Sequence, residues 1–305
     1  MRIFITGATG WVGSAVAQEL IGAGHQVLGL ARNDAGVEAL ARAGVEPQRG
    51  ELADTEGLAA AARSCDGVIH TAFIHDWTDF EASVEADRRA VEALGAALVG
   101  SGKPLITTSG TAANAFVTPG RVATEEDAPP AAVPRMASEH ATVALAASGV
   151  RASVIRLPPS VHGDGDKGFV PRLVDIAREK GVSAYVGEGL NRWPAVHRFD
   201  AARLYRLVVE TAPGGHRYHA VAEEGVPTRE IARIIGRRLG LPVVSKPAEE
   251  AAEHFGFLGM FFGLDAPASS AHTREQMGWA PKGPGLIADL ENGRYFDGPG
   301  SKYAA

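Results

Sequence analysis

A doubly wound α/β fold, with a parallel sheet covered by helices on both faces and a smaller C-terminal lobe, is predicted by three features of the 305-residue sequence. Strand and helix signals alternate through the first half, from Arg2 to Leu157. The strand signals are short apolar runs, as expected where both sheet faces are buried. The first run, Ile3-Phe4-Ile5, passes three spaced glycines, Gly7, Gly10 and Gly13, into a helix whose Val12, Val16 and Leu20 share one face.

The elements follow in order. After the first helix come a strand Gln26–Leu30, a helix over 34–43, a short strand near Glu46–Arg49, a helix over 55–63 and a strand Asp66–His70. A long helix from about Phe80 to Val99 leads to the strand Pro104–Thr107, a helix over 136–147 and the strand Arg151–Leu157. Beyond it, Pro158-Pro159, Gly163-Asp-Gly-Asp166 and Gly187-Glu-Gly189 break the chain into shorter pieces. Helices are signalled at about 169–180, 200–210 and 228–239, with a short strand Arg217–Ala220. This pattern suits a second lobe whose chain crosses back to the first around 195–225. Ligands of such sheets bind beyond the carboxyl ends of the strands, which directs attention to 7–13, 31–34, 71–77, 108–114 and 158–167.

The glycines carry a specific chemistry. Gly7 lets the backbone leave the strand in a tight turn, Gly10 removes a side chain that would hold a pyrophosphate away, and Gly13 lets the helix pack closely. The helix N-terminus then offers amides and a positive dipole end to phosphates. A dinucleotide site follows. At the end of the second strand an NAD site usually carries an acid for the ribose hydroxyls, and here Ala31 is followed by Arg32 and Asn33. A guanidinium binds a 2′-phosphate that an acid would repel, so the expected cofactor is NADP (NADPH). Asp34 sits where a helix N-cap belongs.

The G-x-x-G-x-x-G spacing resembles that of the extended and atypical short-chain dehydrogenase/reductases, including the NAD-dependent epimerase/dehydratases. Gly50-Glu-Leu52-Ala-Asp54 stands where these enzymes carry G-D-L-x-D beside the adenine, and Val68-Ile-His-Thr71-Ala72 where they carry V-x-H-x-A. Arg156-Leu157-Pro158-Pro-Ser-Val-His162-Gly163 is similar to their R-P-x-x-V-Y-G strand end, and Trp193-Pro-Ala-Val-His197-Arg-Phe-Asp-Ala-Ala202 to their V-H-V-x-D-V-A. Thr273 to Pro281 resembles their closing L-G-W-x-P. The resemblance covers nearly the whole chain. It implies an NADP-binding Rossmann domain of 1–160 plus about 195–225, and a substrate-binding lobe of about 161–194 and 226–305. It also implies cofactor contacts at Gly7, Thr9, Gly10, Trp11, Val12, Gly13, Arg32, Leu52, Thr71, Ala72, Phe73, His140, Leu157 and Pro158.

The usual catalytic pair is missing. Standard members place Tyr and Lys in Y-x-x-x-K, the phenol exchanging the proton and the lysine holding the ribose. The matching helix reads Met136-Ala-Ser-Glu-His140, and a thioether exchanges no proton. One register puts Gly110 where the catalytic hydroxyl belongs, leaving Ser109 and Thr111 beside it as candidates. His140 is placed to hold the ribose in the lysine's stead, or is a helix histidine. His162, on the loop expected beside the nicotinamide, is a candidate proton donor, or a loop histidine bonded to nearby backbone. His75 of His75-Asp76-Trp77, Met136, Tyr185, Arg192 and Trp193 are candidate substrate-binding residues.

Composition narrows the rest. The chain is 45% hydrophobic and 22% charged with a net charge of −6, without long like-sign runs, which points away from nucleic acid and anionic membranes. No apolar run reaches the ~20 residues that span a bilayer. The first strand begins where the sequence begins, so no signal peptide is expected, and Cys65 is the one cysteine. Cytoplasm is the expected compartment. Ten scattered histidines without a ligand spacing predict no metal site. The apolar stretch His254–Leu264 reads as core, as a homodimer face, or as a roof for an apolar small-molecule substrate. Two functions fit: an NADPH-dependent reductase of a carbonyl or imine, or a non-catalytic NADP-binding protein that reports redox state to a partner. An iminium already carries its proton, so positioning alone suffices for its reduction. Epimerase or dehydratase chemistry usually needs the missing tyrosine and stands third.

Overall fold

The computed structural model describes residues 1–76 and 78–297, so Trp77 lies outside the described residues. The first half forms β1 (Arg2–Thr6), α1 (Trp11–Gly22), β2 (Gln26–Ala31), α2 (Asp34–Arg42), β3 (Glu46–Arg49), α3 (Thr55–Ser64) and β4 (Gly67–His70). It continues through α4 (Phe80–Leu98), β5 (Pro104–Gly110), α5 (Met136–Ala144) and β6 (Arg151–Leu157). The second half adds β7 (Ser160–His162), α6 (Phe169–Lys180), β8 (Ser183–Val186), β9 (Arg192–His197), α7 (Arg198–Thr211), β10 (Arg217–His219) and β11 (Glu223–Pro227). It closes with α8 (Thr228–Leu239), β12 (Val243–Lys246), α9 (Ala251–Phe255), α10 (Leu258–Phe262), α11 (Ala271–Met277) and α12 (Leu286–Asn292).

Among the described residues, seven strands make one parallel sheet in the order β10-β6-β5-β4-β1-β2-β3. Alternate residues of each strand feed opposite cores. Ile3, Ile5, Ile69, Ile106 and Ile155 pack under α1 and α7. Phe4, Leu28, Val68, Leu105 and Ala152 pack under α3 and α4. That two-sided burial explains why the strands read as continuous apolar runs. The chain order reverses across β1 and β4, so the connections after these strands open the crevice where such sheets bind ligands.

A third core, with Val170, Trp193, Ile231, Phe255, Phe262 and Leu286, fills the second lobe. The stretch His254–Leu264 supplies much of it, while Met260 is 70% exposed. The C-terminal segment does not stay in that lobe. Trp279 joins the core under α7 and its Nε1 donates to the Asp200 carbonyl at 2.9 Å.

Several boundaries moved for identifiable reasons. β5 runs on to Gly110 because Thr108, Ser109 and Gly110 pair in register with Ile155, Arg156 and Leu157. Residues 145–148 tighten into a 3₁₀ turn that ends at Gly149, whose φ of 74° suits glycine. Part of the expected 158–167 loop is β7, paired with β9. α7 starts at Arg198 rather than 200, with the Asp200 carboxylate taking the Lys282 and Gly283 amides.

Candidate functional site

The turn between β1 and α1 is shaped by close approach. Gly7 has φ 73°, and a Cβ there would lie 2.7 Å from the Ala72 nitrogen. A Cβ on Gly13 would lie 2.2 Å from the Gly7 carbonyl oxygen and 2.7 Å from Thr71 Oγ1. At Gly10 the Gly7 oxygen, at 3.1 Å, is the one neighbour such an atom would meet. Gly7 and Gly13 are therefore required by packing, and Gly10 leaves the face of the turn open. No side chain caps α1 and its first turn holds no acid, so its leading amides point at an open face with positive potential. The residues present fit a pyrophosphate.

Around that turn the other expected contacts separate. Thr71 Oγ1 donates to the Thr6 carbonyl at 2.8 Å and Thr9 is exposed beside Gly36. The Trp11 indole donates to the Val161 carbonyl at 2.8 Å, and the Arg198 guanidinium lies 3.9 Å over its ring. The Trp11 side chain thus ties α1 to β7, and its place at the turn is through the main chain. Val12 packs on the sheet core and Leu52 is 8% exposed among Leu28, Leu30 and Leu58. Leu157 and Pro158 close β6 beside Gly110.

Arg32 is exposed just past β2 and makes no ion pair among the described residues. Asn33, not Asp34, caps α2, its Oδ1 accepting the Gly36 amide at 2.9 Å. Asp34 is the first helical residue and pairs with Arg49. The acid nearest this strand end is held by a cation of its own.

Behind the ends of β4 and β5 lies a chain of buried polar contacts. His70 joins Thr6 Oγ1 at 2.7 Å through Nδ1 and Asp87 at 3.1 Å through Nε2. Thr108 Oγ1 donates to the His70 carbonyl at 2.8 Å and accepts from the Tyr205 hydroxyl at 2.7 Å. Arg135 Nη2 donates to the Thr108 carbonyl at 3.2 Å, and its guanidinium sits 3.9 Å from the Phe73 ring centre. The His75 ring packs edge-on against Phe73 at 5.1 Å, and desolvation together with the Arg135 charge lowers its pKa. Ser109 Oγ, Thr111 Oγ1, both amide atoms of Asn114 and Arg135 Nε are buried without a partner. Buried polar atoms are normally satisfied, so this local group of orphaned atoms, among others elsewhere in the fold, is a candidate place for a ligand's polar groups.

α5 is held in place from below. Glu139 accepts from Arg156 Nε at 3.0 Å and Arg217 Nε at 2.7 Å, and Arg156 donates to His219 Nε2 at 3.2 Å. Burial raises the Glu139 carboxyl pKa, but the two guanidiniums outweigh it and hold the group below its ordinary range. Burial and the Arg156 charge push the His219 imidazole down to about 4. The segment ahead of α5 is tied to the C-terminal part. Ala123 and the Pro267–Ser269 backbone exchange hydrogen bonds of 2.9 and 2.8 Å. Glu125 accepts both the amide and the hydroxyl of Thr273 at 2.8 and 2.7 Å.

The NAD dependent epimerase/dehydratase family matches residues 3–221. The chain belongs to that family. An uncharacterised protein of Schizosaccharomyces pombe is 48% identical over 97% of this chain and the whole of its own. A 2-alkyl-3-oxoalkanoate reductase of Stenotrophomonas maltophilia is 31% identical over 81% of this chain and 78% of its own. The UDP-glucose 4-epimerase of Thermus thermophilus in complex with NAD shares the fold, with a TM-score of 0.74 at 21% identity, covering 95% and 97% of the two chains. The protein is thus an oxidoreductase-type enzyme of an NAD(P)-dependent family.

Within this epimerase/dehydratase frame, several expected site residues have other partners. Met136, in the tyrosine's position, is 1% exposed. His140 Nε2 donates to the Pro129 carbonyl at 2.8 Å, so one ring nitrogen of the residue expected to hold a ribose is already engaged. His162 is fully buried, with Nδ1 on Asp289 at 2.8 Å and its ring 5.6 Å from His197. It packs against α12 rather than on an open loop, which corrects its expected place. Trp193 is buried in the lobe core with Nε1 on the Phe261 carbonyl, and Arg192 forks onto Asp265. Tyr185 is half-buried against the Gly187–Gly189 turn. Arg135 was missed, since its place depends on a backbone conformation that no residue pattern announces.

Proposed function

We propose that the protein is an NADPH-dependent oxidoreductase reducing a carbonyl or imine carbon of a mainly apolar small molecule through a non-standard active site. The observation that carries this reading is the end of β2, where Arg32 is exposed and unpaired while the nearby acid Asp34 is paired with Arg49. A guanidinium so placed suits a 2′-phosphate. The reductase relative from Stenotrophomonas supports the direction of the reaction.

A nicotinamide cofactor supplies hydride when bound. The chain's own part is to bind and to orient. The open face at Gly10 and the α1 amides hold the pyrophosphate, and Arg32 holds the 2′-phosphate. The unpartnered Ser109 and Thr111 hydroxyls are the candidate donors for the reacting oxygen. With Met136 in the tyrosine's place, the proton for a ketone comes from another group or from water, and an iminium substrate needs none at the hydride step.

The test is a pair of binding titrations. Arg32→Ala is expected to weaken NADPH by about 10- to 100-fold and to leave NADH nearly unchanged. Equal loss for both cofactors overturns the assignment. Tight NADPH binding without turnover of any ketone, aldehyde or imine favours the redox-reporting role instead.

A further inference from the structure

Among the described residues, Arg135 is the one non-glycine residue with a positive φ (69°, ψ −12°). That conformation is unfavourable for an L-residue and persists where the surroundings impose it, most often at functional sites. What it achieves here is the placement of a cation. The guanidinium lies over Phe73, just past β4, and its Nη2 reaches the Thr108 carbonyl near the end of β5. Nε is buried and has no partner.

Among the described residues the charge is also without a counter-ion within ion-pair distance. The two carboxylates that act on it most strongly are engaged elsewhere, Asp87 with His70 at 3.1 Å and Glu139 with Arg156 and Arg217. Desolvation lowers the Arg135 pKa, which reports the same imbalance. Arg135 is half-buried with Nε fully covered, and a partly desolvated cation without a partner is stabilised when an anion arrives. A guanidinium whose Nε and remaining hydrogens are unused matches a planar two-oxygen anion. The phosphates of a dinucleotide belong at the α1 turn, beside Thr71 and Ala72, and the nicotinamide and its ribose bring no further anion toward Phe73 and the end of β5.

We propose that Arg135 is the anion-binding residue of the active cleft and takes a carboxylate carried by the substrate beside its reducible group. The substrate class is then a small oxo or imino acid with an apolar remainder. The reducible group rests on the reductase reading above, and the carboxylate does not.

Arg135→Gly separates the charge from the fold, because glycine accepts the positive φ without strain. The experiment measures binding of acetate, benzoate and 4-phenylbutanoate, none of them reducible, to the NADP⁺-loaded protein by calorimetry. Reduction of 2-oxo-4-phenylbutanoate and 4-phenyl-2-butanone, which differ by a carboxylate in place of a methyl, is measured alongside. Wild type is expected to bind at least one carboxylate saturably and to show a lower KM for the oxo acid than for the ketone. Arg135→Gly is expected to lose about 10- to 100-fold in carboxylate affinity with an unchanged NADPH Kd. Arg135→Lys, which keeps the charge without the fork, is expected to fall between. Carboxylate binding that survives Arg135→Gly, or absent from wild type for all three probes, overturns the proposal. If carboxylate binding depends on Arg135 but neither carbonyl is reduced, the anion site stands and the reductase reading falls.

Discussion

Two alanine substitutions in one turn should have opposite consequences. At Gly13 a Cβ would sit 2.2 Å from the Gly7 oxygen, where ordinary contact begins at 3.4 Å, so α1 must retreat by about 1.2 Å from a backbone atom that cannot rotate away. Overpacking of that kind costs about 1–3 kcal/mol, and it displaces the amides that would face the pyrophosphate. At Gly10 the same methyl meets the Gly7 oxygen at 3.1 Å and needs a shift of a few tenths of an ångström. Its φ of −76° and ψ of 174° suit alanine, so the loss is that of a glycine N-cap, about 1 kcal/mol or less. The Gly10 methyl would instead occupy the open face, where a pyrophosphate needs contact with the amides. Calorimetric Tm without cofactor and fluorescence titration with NADPH separate the two. Gly10→Ala should keep its Tm within a few degrees while its NADPH Kd rises by about 10-fold or more, and Gly13→Ala should lose in both. Wild-type affinity in Gly10→Ala would remove the pyrophosphate from this turn, and an unchanged Tm in Gly13→Ala would refute the close packing of α1.

Two further outcomes concern stability. Glu139→Gln leaves the buried Arg156 without its counter-charge and should cost about 3–5 kcal/mol in denaturant unfolding, where a loss under about 1 kcal/mol would show the network to be dispensable. Asp166 is pushed up to about 7 from 3.8, first by burial and then by the neighbouring Asp289 charge. Its folded form therefore binds the proton more tightly than the unfolded form, so its contribution is complete below about pH 4 and is lost as pH rises toward 7. Asp166→Asn, which keeps an oxygen for the Gly168 amide, should gain Tm relative to wild type across that window, and an identical Tm-against-pH slope in both proteins would sink the argument.

The sheet was legible because its strands are buried on both faces, so Ile3-Phe4-Ile5 and Val68-Ile69 carry an unbroken apolar signal. The glycine turn was legible because its spacing encodes backbone geometry directly. β7, β9 and β11 were not, being short strands interrupted or flanked by Gly and Pro whose pairing spans distant sequence. The end of β5 reads as polar, and only its register with β6 shows that Ser109 lies within a strand. His162 was read from its position after a motif, but its partner Asp289 arrives 127 residues later. Arg135 is the sharpest case, because a left-handed arginine results from tertiary contacts and leaves no local trace.

The stitching of residues 123–125 to 267–273 has a consequence for recombining this chain with its relatives. The loop that leads into Arg135 takes its shape from a strip of backbone more than a hundred residues downstream. A chimera that exchanges the C-terminal lobe alone would import a foreign strip beneath a native loop, leaving the Glu125 carboxylate facing donors it did not evolve with. The natural unit of exchange is therefore discontinuous: 123–135 travels with 267–273, and a cut anywhere between them parts Glu125 from the Thr273 donors that hold it.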